Sequence, residues 1–284
     1  MALVTPFNED KSIDYDSLGK VINFVIEGGV QYVVTLGTTG ETPTITKEEK
    51  KELIEFTFTV VEGRVPVVIG IGGNNTASVV KEIETLPTEK ATAILSASPY
   101  YNKPSQEGIF QHYKALAATT PKPIILYNVP GRTGSNIAAS TTIRLAKEIE
   151  NIAGIKEASG NMMQCMQILQ DKPEEFMVVS GDDNLALPQI ACGMDGVISV
   201  AANCFPKDFS AMVLAALDND FEAAKALNDK MLRGYELLFA ENNPAGVKAF
   251  LTELKIIKNE LRLPLVPLSE SVYQHVKSFM ADYQ

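Results

Sequence analysis

Eight short apolar runs recur along this chain, and their spacing constrains the fold more than any other feature. They read ALVTP (2–6), QYVVTLG (31–37), VPVVIGIG (65–72), ATAILSAS (91–98), PIILYN (123–128), IAGIKEA (152–158), FMVVSG (176–181) and DGVISV (195–200). Most are apolar at consecutive positions and rich in Val and Ile, the pattern of parallel strands covered on both faces rather than the alternation of a half-exposed sheet. Between them lie segments with apolar residues three and four apart: Leu18, Ile22 and Val25; Leu53, Phe56 and Val60; Ile109, Tyr113 and Leu116; Ile143, Ala146 and Ile149. That is the helical period. Thr46 followed by Glu49 supplies a capping box at the start of the second segment.

Strand then helix, at intervals of roughly 20 to 35 residues, predicts an α/β chain folded as a (β/α)8 TIM barrel. A doubly wound sheet is the competitor, but its Gly-rich phosphate turn has one candidate, GIGGNN at 70–75, which lacks the G-x-G-x-x-G spacing. After Val200 only helical patterns follow, at 207–217, 220–238, 244–259 and 269–283. These exceed what an eighth unit needs, so residues 1–218 are assigned to the barrel and 219–284 to a C-terminal layer of about three helices.

The chain carries 35 acidic against 25 basic side chains, a formal charge of −10 with no basic cluster, which argues against nucleic acid or an anionic membrane surface as partner. No run of eighteen apolar residues and no leader-like N-terminus occurs, so a cytoplasmic protein is expected. Cys165, Cys192 and Cys204 stand apart with no C-x-x-C spacing and read as free buried thiols. With His112 and His275 the only histidines, zinc sites and His-dependent triads lack ligands. No metal is expected, and chemistry shifts to Lys, Tyr, Thr and Arg.

In such a barrel the site gathers at the C-terminal strand ends. Those ends read GTTGE (37–41), SPYYN (98–102), YNVPGRTG (127–134) and SGDD (180–183), with a lysine inside the sixth run. Gly37 to Gly40 offers backbone N–H groups and hydroxyls suited to a small carboxylate, although an ordinary strand-to-helix turn would look the same. Tyr100 and Tyr101 read first as packing aromatics, while Tyr127, at a strand end, reads equally as a core tyrosine with a satisfied hydroxyl or as a functional one. Arg132, between Gly131 and Gly134, is either a solvated charge or a guanidinium fork for a substrate carboxylate.

Lys156 carries the strongest physical case. Flanked by Ile152 and Ile155 in an apolar strand, it is placed where burial disfavours the ammonium, and a neutral amine attacks carbonyls to give a Schiff base and then an enamine. The bland alternative pairs it with a carboxylate. Glu157 is a poor partner, because neighbours in a strand point to opposite faces.

Taken together, GTTGE, PYYN, YNVPGRTG, GIKEASGN (154–161), SGDD and GVISV (196–200) resemble the dihydrodipicolinate synthase family, in the pyruvate-dependent class I aldolase superfamily that also contains N-acetylneuraminate lyase. The resemblance runs the length of the chain with the motifs in matching order. It implies a homotetrameric (β/α)8 enzyme, a dimer of dimers, that condenses pyruvate with L-aspartate 4-semialdehyde and needs no cofactor beyond the covalent pyruvate imine. The family's Schiff-base lysine falls on Lys156. Its proton relay falls on Tyr127, Thr38 and Tyr101, the last donated across a subunit interface. Thr39 is implied to hold the pyruvate carboxylate and Arg132 that of the semialdehyde, with Gly181 and Ile198 near the lysine.

The resemblance also implies an effector site for L-lysine, at positions matching Thr42, Pro43, Lys47, Lys50, Asn74, Ser78 and Tyr100. Ser78, Lys47 and Lys50 replace a glutamate and histidines of regulated relatives, so inhibition by a cationic ligand is expected to be weak or absent. Two readings compete with the synthase: a lyase for sialic or 2-keto-3-deoxy sugar acids using the same lysine and tyrosine, and a keto-acid-binding barrel without turnover. Arg132, the second threonine and SGDD favour the synthase over the first. An intact Lys156, Tyr127 and Thr38 argues against the second.

Overall fold

The computed structural model describes residues 1–283. In chain order these form α1 (Tyr15–Glu27), β1 (Val33–Thr35), α2 (Lys47–Val61), β2 (Val67–Gly70), α3 (Thr76–Thr85), β3 (Ala93–Ala97) and α4 (Gln106–Ala117). There follow β4 (Ile124–Asn128), α5 (Pro130–Thr133), α6 (Ala139–Glu148), β5 (Ile152–Glu157), α7 (Met162–Asp171), β6 (Met177–Ser180), α8 (Ala186–Ala191) and β7 (Gly196–Val197). Four helices complete the chain: α9 (Pro206–Leu217), α10 (Phe221–Phe239), α11 (Ala245–Glu253) and α12 (Glu270–Asp282). They divide into two compact units, Val67–Ile198 and, separately, Met1–Pro66 with the chain from Ser199 onward.

In the unit of residues 67–198, β2 to β7 form a sheet hydrogen-bonded in chain order, every pairing parallel. Its strands are buried at nearly every position, as their unalternating apolar sequences require. Helices return the chain between strands. Three of them start on side-chain caps: Asn75 accepts from the N–H of Ser78, Ser105 from Gly108 and Asn161 from Gln164, while α6 follows Ala138 without one. The face of α6 differs from expectation, since Thr141, Thr142 and Leu145 are buried and Ile143 and Ala146 only half-buried. Cys165 is buried here as expected, but Cys192, at the end of the short α8, is exposed.

In the other unit, α2 starts with the expected capping box, Thr46 accepting from the N–H of Glu49 while the Glu49 carboxylate accepts from that of Thr46. The first apolar run does not form a strand of its own. Leu3 donates to the Val34 carbonyl, Val34 to that of Met1, and Ala2 to that of Ser199, giving one isolated bridge at Ala2. Beyond it the Asn203 side chain takes over: its Nδ2 donates to the Ala2 carbonyl and its Oδ1 accepts from the N–H of Val4. Thr5 turns to the Gly40 carbonyl, and Pro6 has no N–H to offer a ladder.

Helices α9 to α12 occupy nearly the expected ranges, with one correction. The third was expected to reach 259 and ends at Glu253, where Lys255 turns the chain through φ +59°. The irregular segment that follows brings Glu260 and Arg262 back towards α11, where both meet Lys248 or its partner. Gly246 permits α11 to press on the end of α10, since a Cβ there would lie 2.3 Å from the Leu238 carbonyl oxygen. Among the described residues no helix is long and apolar enough to cross a membrane.

Candidate active site

The parallel pairing of β4 with β5 sets Tyr127 opposite Lys156 and Asn128 opposite Glu157. Successive residues of a strand face opposite sides, so the first pair shares one face and the second pair the other. Lys156 is 4% exposed, and its Nζ stands 4.4 Å from the centroid of the Tyr127 ring. No hydrogen bond or ion pair engages this amine among the described residues. Glu157 is not its partner, as alternation predicts. Its carboxylate accepts instead from Asn128 Nδ2, Gln164 Nε2 and the backbone N–H of Ser159.

Gly181, just after β6, borders the lysine. A Cβ on it would lie 2.6 Å from Ala158 Cβ and 2.8 Å from Lys156 Cε, so only glycine leaves room for the lysine stem. Ile198 is fully buried and donates its N–H to the Ser180 carbonyl. Asp182 follows Gly181 and accepts from the N–H of Gly160 at 3.2 Å. Burial pushes its carboxyl up to about 6, against the pull of the Gly160 bond and the Lys156 charge.

Arg132 sits on the single turn α5, which starts at Pro130 and ends on Gly134 in the left-handed region at φ +69°. Tyr101 lies beside this turn, its N–H donating to the Thr133 carbonyl at 3.4 Å. It holds φ +71° and is 87% exposed. An aromatic residue in that conformation, with its ring in solvent, is unusual on both counts.

Thr38 and Thr39 belong to the other unit, on a 3-10 turn from Thr38 to Gly40 after β1. Thr39 is buried, and its Oγ1 accepts from Asn243 Nδ2 at 3.0 Å. Glu41 closes the turn at φ 55°, its N–H donating to the Thr38 carbonyl. Of the effector positions, Thr42, Pro43, Lys47 and Lys50 lie at and before the start of α2 in this unit. Asn74, Ser78 and Tyr100 lie in the unit of residues 67–198, where Ser78 is in the first turn of α3 and Tyr100 is exposed.

Sequence reasoning did not single out Asn128, Asn136 and Gln164, and weighed Glu157 only as a partner for Lys156; the four side chains hydrogen-bond into one network. A signal existed: Glu157 is as anomalous in an apolar strand as Lys156 beside it. It also did not find the pairing of Lys248 with Glu41, the last residue of GTTGE. Among the described residues, no group of three or more His, Cys, Asp and Glu side chains is placed to hold a metal ion.

A model of the Dihydrodipicolinate synthetase family matches residues 1–282. The chain is 50% identical over 280 residues to 4-hydroxy-tetrahydrodipicolinate synthase of Parabacteroides distasonis, covering 99% of this chain and 94% of that one. It is 47% identical over 279 residues to the same-named enzyme of Flavobacterium psychrophilum, covering 98% and 95%. Among solved structures, dihydrodipicolinate synthase from Aquifex aeolicus superposes with a TM-score of 0.96 at 39% identity, covering 100% of this chain and 96% of that one. The Acinetobacter baumannii enzyme, a chloride-inhibited form solved with pyruvate, gives 0.96 at 40% identity, over 99% and 97%. With the family model spanning nearly every residue and relatives aligned almost end to end, the chain belongs to the dihydrodipicolinate synthetase family.

Proposed function

We propose that this chain condenses pyruvate with L-aspartate 4-semialdehyde through a Schiff base on Lys156, giving 4-hydroxy-tetrahydrodipicolinate for diaminopimelate and lysine synthesis. The observation that carries this reading is Lys156 itself: a buried amine over the Tyr127 ring, with no acceptor bonded to it among the described residues, in a chain whose relatives bear that enzyme's name. The amine attacks the C2 carbonyl of pyruvate, and loss of water leaves an imine. Removal of a C3 proton gives the enamine, whose carbon attacks the aldehyde. The amine of the second substrate then adds to the imine carbon and Lys156 leaves, which closes the ring and frees the enzyme.

Each step moves a proton, and hydroxyl groups can carry them without a histidine. Tyr127 and Thr38 take that role, with Tyr101 supplied by a neighbouring subunit of a homotetramer built as a dimer of dimers. The 87% exposure of Tyr101 in its own protomer supports the donation. Thr39 and its amide take the pyruvate carboxylate, and Arg132 takes that of the semialdehyde. Gly181 and Ile198 line the pocket beside the lysine. The reaction needs no cofactor, and the enzyme is assigned to the cytoplasm.

Assaying wild type and Arg132→Ala with both acceptor aldehydes tests the assignment. Wild type consumes aspartate semialdehyde, and Arg132→Ala raises the KM for it by about tenfold or more through loss of a bidentate charge contact. Consumption of N-acetylmannosamine with aspartate semialdehyde ignored would place the chain with the sugar-acid lyases instead.

A further inference from the structure

Strands β4 and β5 run parallel but not in step. Ile124 stands opposite Ile152 while Ile125 stands opposite Gly154, so Ala153 is an extra residue in β5. Every later pair is displaced by one. Without the extra residue Tyr127 would face Ile155, whereas with it Tyr127 faces Lys156. A slip of one residue moves side chains to the opposite face of a sheet, so this bulge decides whether the amine and the phenol ring meet at all. Bulges in parallel ladders are rare and weaken the local pairing, so something must hold the displaced register.

What holds it lies on the other face. Asn128 and Glu157, the pair immediately after Tyr127 and Lys156, are both fully buried. Asn128 Nδ2 donates to both Glu157 oxygens, at 3.1 and 2.9 Å. Gln164 Nε2 from α7 and the Ser159 N–H complete the carboxylate's shell at 3.1 and 2.8 Å. Asn128 also ties down the chain returning from the Arg132 turn, donating to Asn136 Oδ1 at 2.8 Å and accepting from the Ile137 N–H at 2.9 Å. From the other side β6 presses on the residue after the bulge, since a Cβ on Gly154 would lie 2.6 Å from the Met177 carbonyl oxygen. The amide meets the carboxylate only in this register. In the unbulged one Asn128 would face Lys156.

We propose that Asn128 and Glu157 are positioning residues, a buried amide–carboxylate clasp that locks the bulged register of β4 and β5 and so holds Lys156 against Tyr127. They act from behind the reactive face, through the backbone of the two residues they follow. A carboxylate satisfied by neutral donors, rather than by Lys156, keeps the amine uncommitted while fixing its strand. This role presupposes the Schiff-base chemistry proposed for Lys156.

The test compares wild type, Glu157→Gln, Asn128→Asp and the double variant carrying both. Each is measured for turnover per active site, with active sites counted by borohydride trapping of pyruvate. Glu157→Gln puts an NH2 where a carboxylate oxygen accepts from neighbouring donors, and Asn128→Asp sets carboxylate against carboxylate. Each is expected to lower kcat per trapping site by about a hundredfold, the scale of a misplacement near 1 Å, with the KM for pyruvate within about threefold of wild type. The double variant restores a donor facing an acceptor and is expected to recover at least about tenfold of that loss, an interaction between neighbours that independent effects cannot produce. If either single variant fails to fold, Asn128→Ser, which removes the amide but leaves Gln164 and Ser159 on the carboxylate, is read in its place.

Single variants with fewer active sites but wild-type kcat at each would overturn the positioning role, as would a double variant no better than either single one. A wild type that neither traps pyruvate nor turns over removes the Schiff-base reading and the clasp with it. A wild type that turns over beside variants that match it per site removes the clasp alone.

Discussion

Two lysines are buried among the described residues, and they are held in opposite ways. Lys248, on α11, is fully buried with its Nζ 2.5 Å from the Glu41 carboxylate, donating to the Glu260 carbonyl and lying 4.2 Å from the Phe7 ring centroid. Glu41 in turn accepts from the backbone N–H of Arg262, whose guanidinium forks onto Glu49 at 2.6 and 2.8 Å. Burial lowers the Lys248 ammonium to about 8, with Glu41 opposing the shift. Lys156, on β5, is 4% exposed and has a ring face beside it but no hydrogen-bond acceptor among the described residues. Burial is common to both, so burial alone does not make a lysine reactive. What separates them is whether the structure spends the amine on a partner. A paired amine closes a turn onto a helix, and an unspent one is available to a carbonyl.

The largest expected effect removes the unspent amine. Lys156→Met is expected to lower condensation activity by at least about four orders of magnitude, because the proposed imine loses its amine. Its thermal unfolding midpoint, measured alongside, stays at or above that of wild type, since no ion pair is broken. A midpoint well below wild type would mean that Lys156 is a structural lysine like Lys248, and the comparison would collapse.

Next comes the paired amine. Lys248→Met leaves the Glu41 carboxylate buried without its cation, and breaking a buried pair from one side costs about 3–5 kcal/mol. Denaturant unfolding should show that loss, with partial recovery when Glu41→Gln is added. Activity per folded molecule should fall far less than in Lys156→Met. A Lys248→Met variant as stable as wild type would show that the pair contributes nothing.

The third effect concerns the acid that feels the Lys156 charge. The Asp182 carboxyl titrates near 6 in the folded protein against 3.8 as its ordinary value. A folded pKa raised above the unfolded one means that the folded state binds the proton more tightly. The stability this contributes is complete below about pH 4 and is lost as pH rises through 6. Asp182→Asn removes the titration. It should therefore match wild type near pH 4 and exceed it by up to about 3 kcal/mol at pH 7, in unfolding curves taken across that range. A gap that does not change with pH would show that Asp182 is not held protonated by its site.

Much of the fold was legible because parallel strands covered on both faces leave an unmistakable apolar run, and seven of the eight runs contain strands. The exception, residues 2–6, has a strand's composition, but the Asn203 side chain replaces part of its ladder, and nothing local in the sequence announces that. The end of α11 was missed for a similar reason. A helical pattern continues past Glu253, but Glu260 and Arg262 are drawn back to the Lys248–Glu41 pair. At the site, Lys156 was legible because a charge in an apolar strand must be accounted for. Glu157 is the same kind of anomaly one residue on, but reading it required the bulge at Ala153, and a bulge has no sequence mark here. The Glu41–Lys248 pair joins residues far apart in sequence, where spacing gives no guidance.

In the proposed reaction the unspent lysine, and not the paired one, carries the chemistry. Incubating the protein with pyruvate and borohydride, then mapping the modified peptide by mass spectrometry, tests it directly. One reduced pyruvate adduct is expected on Lys156, none on Lys248 and none anywhere in Lys156→Met. An adduct on Lys248, or turnover by wild type with Lys156 unmodified, would contradict it.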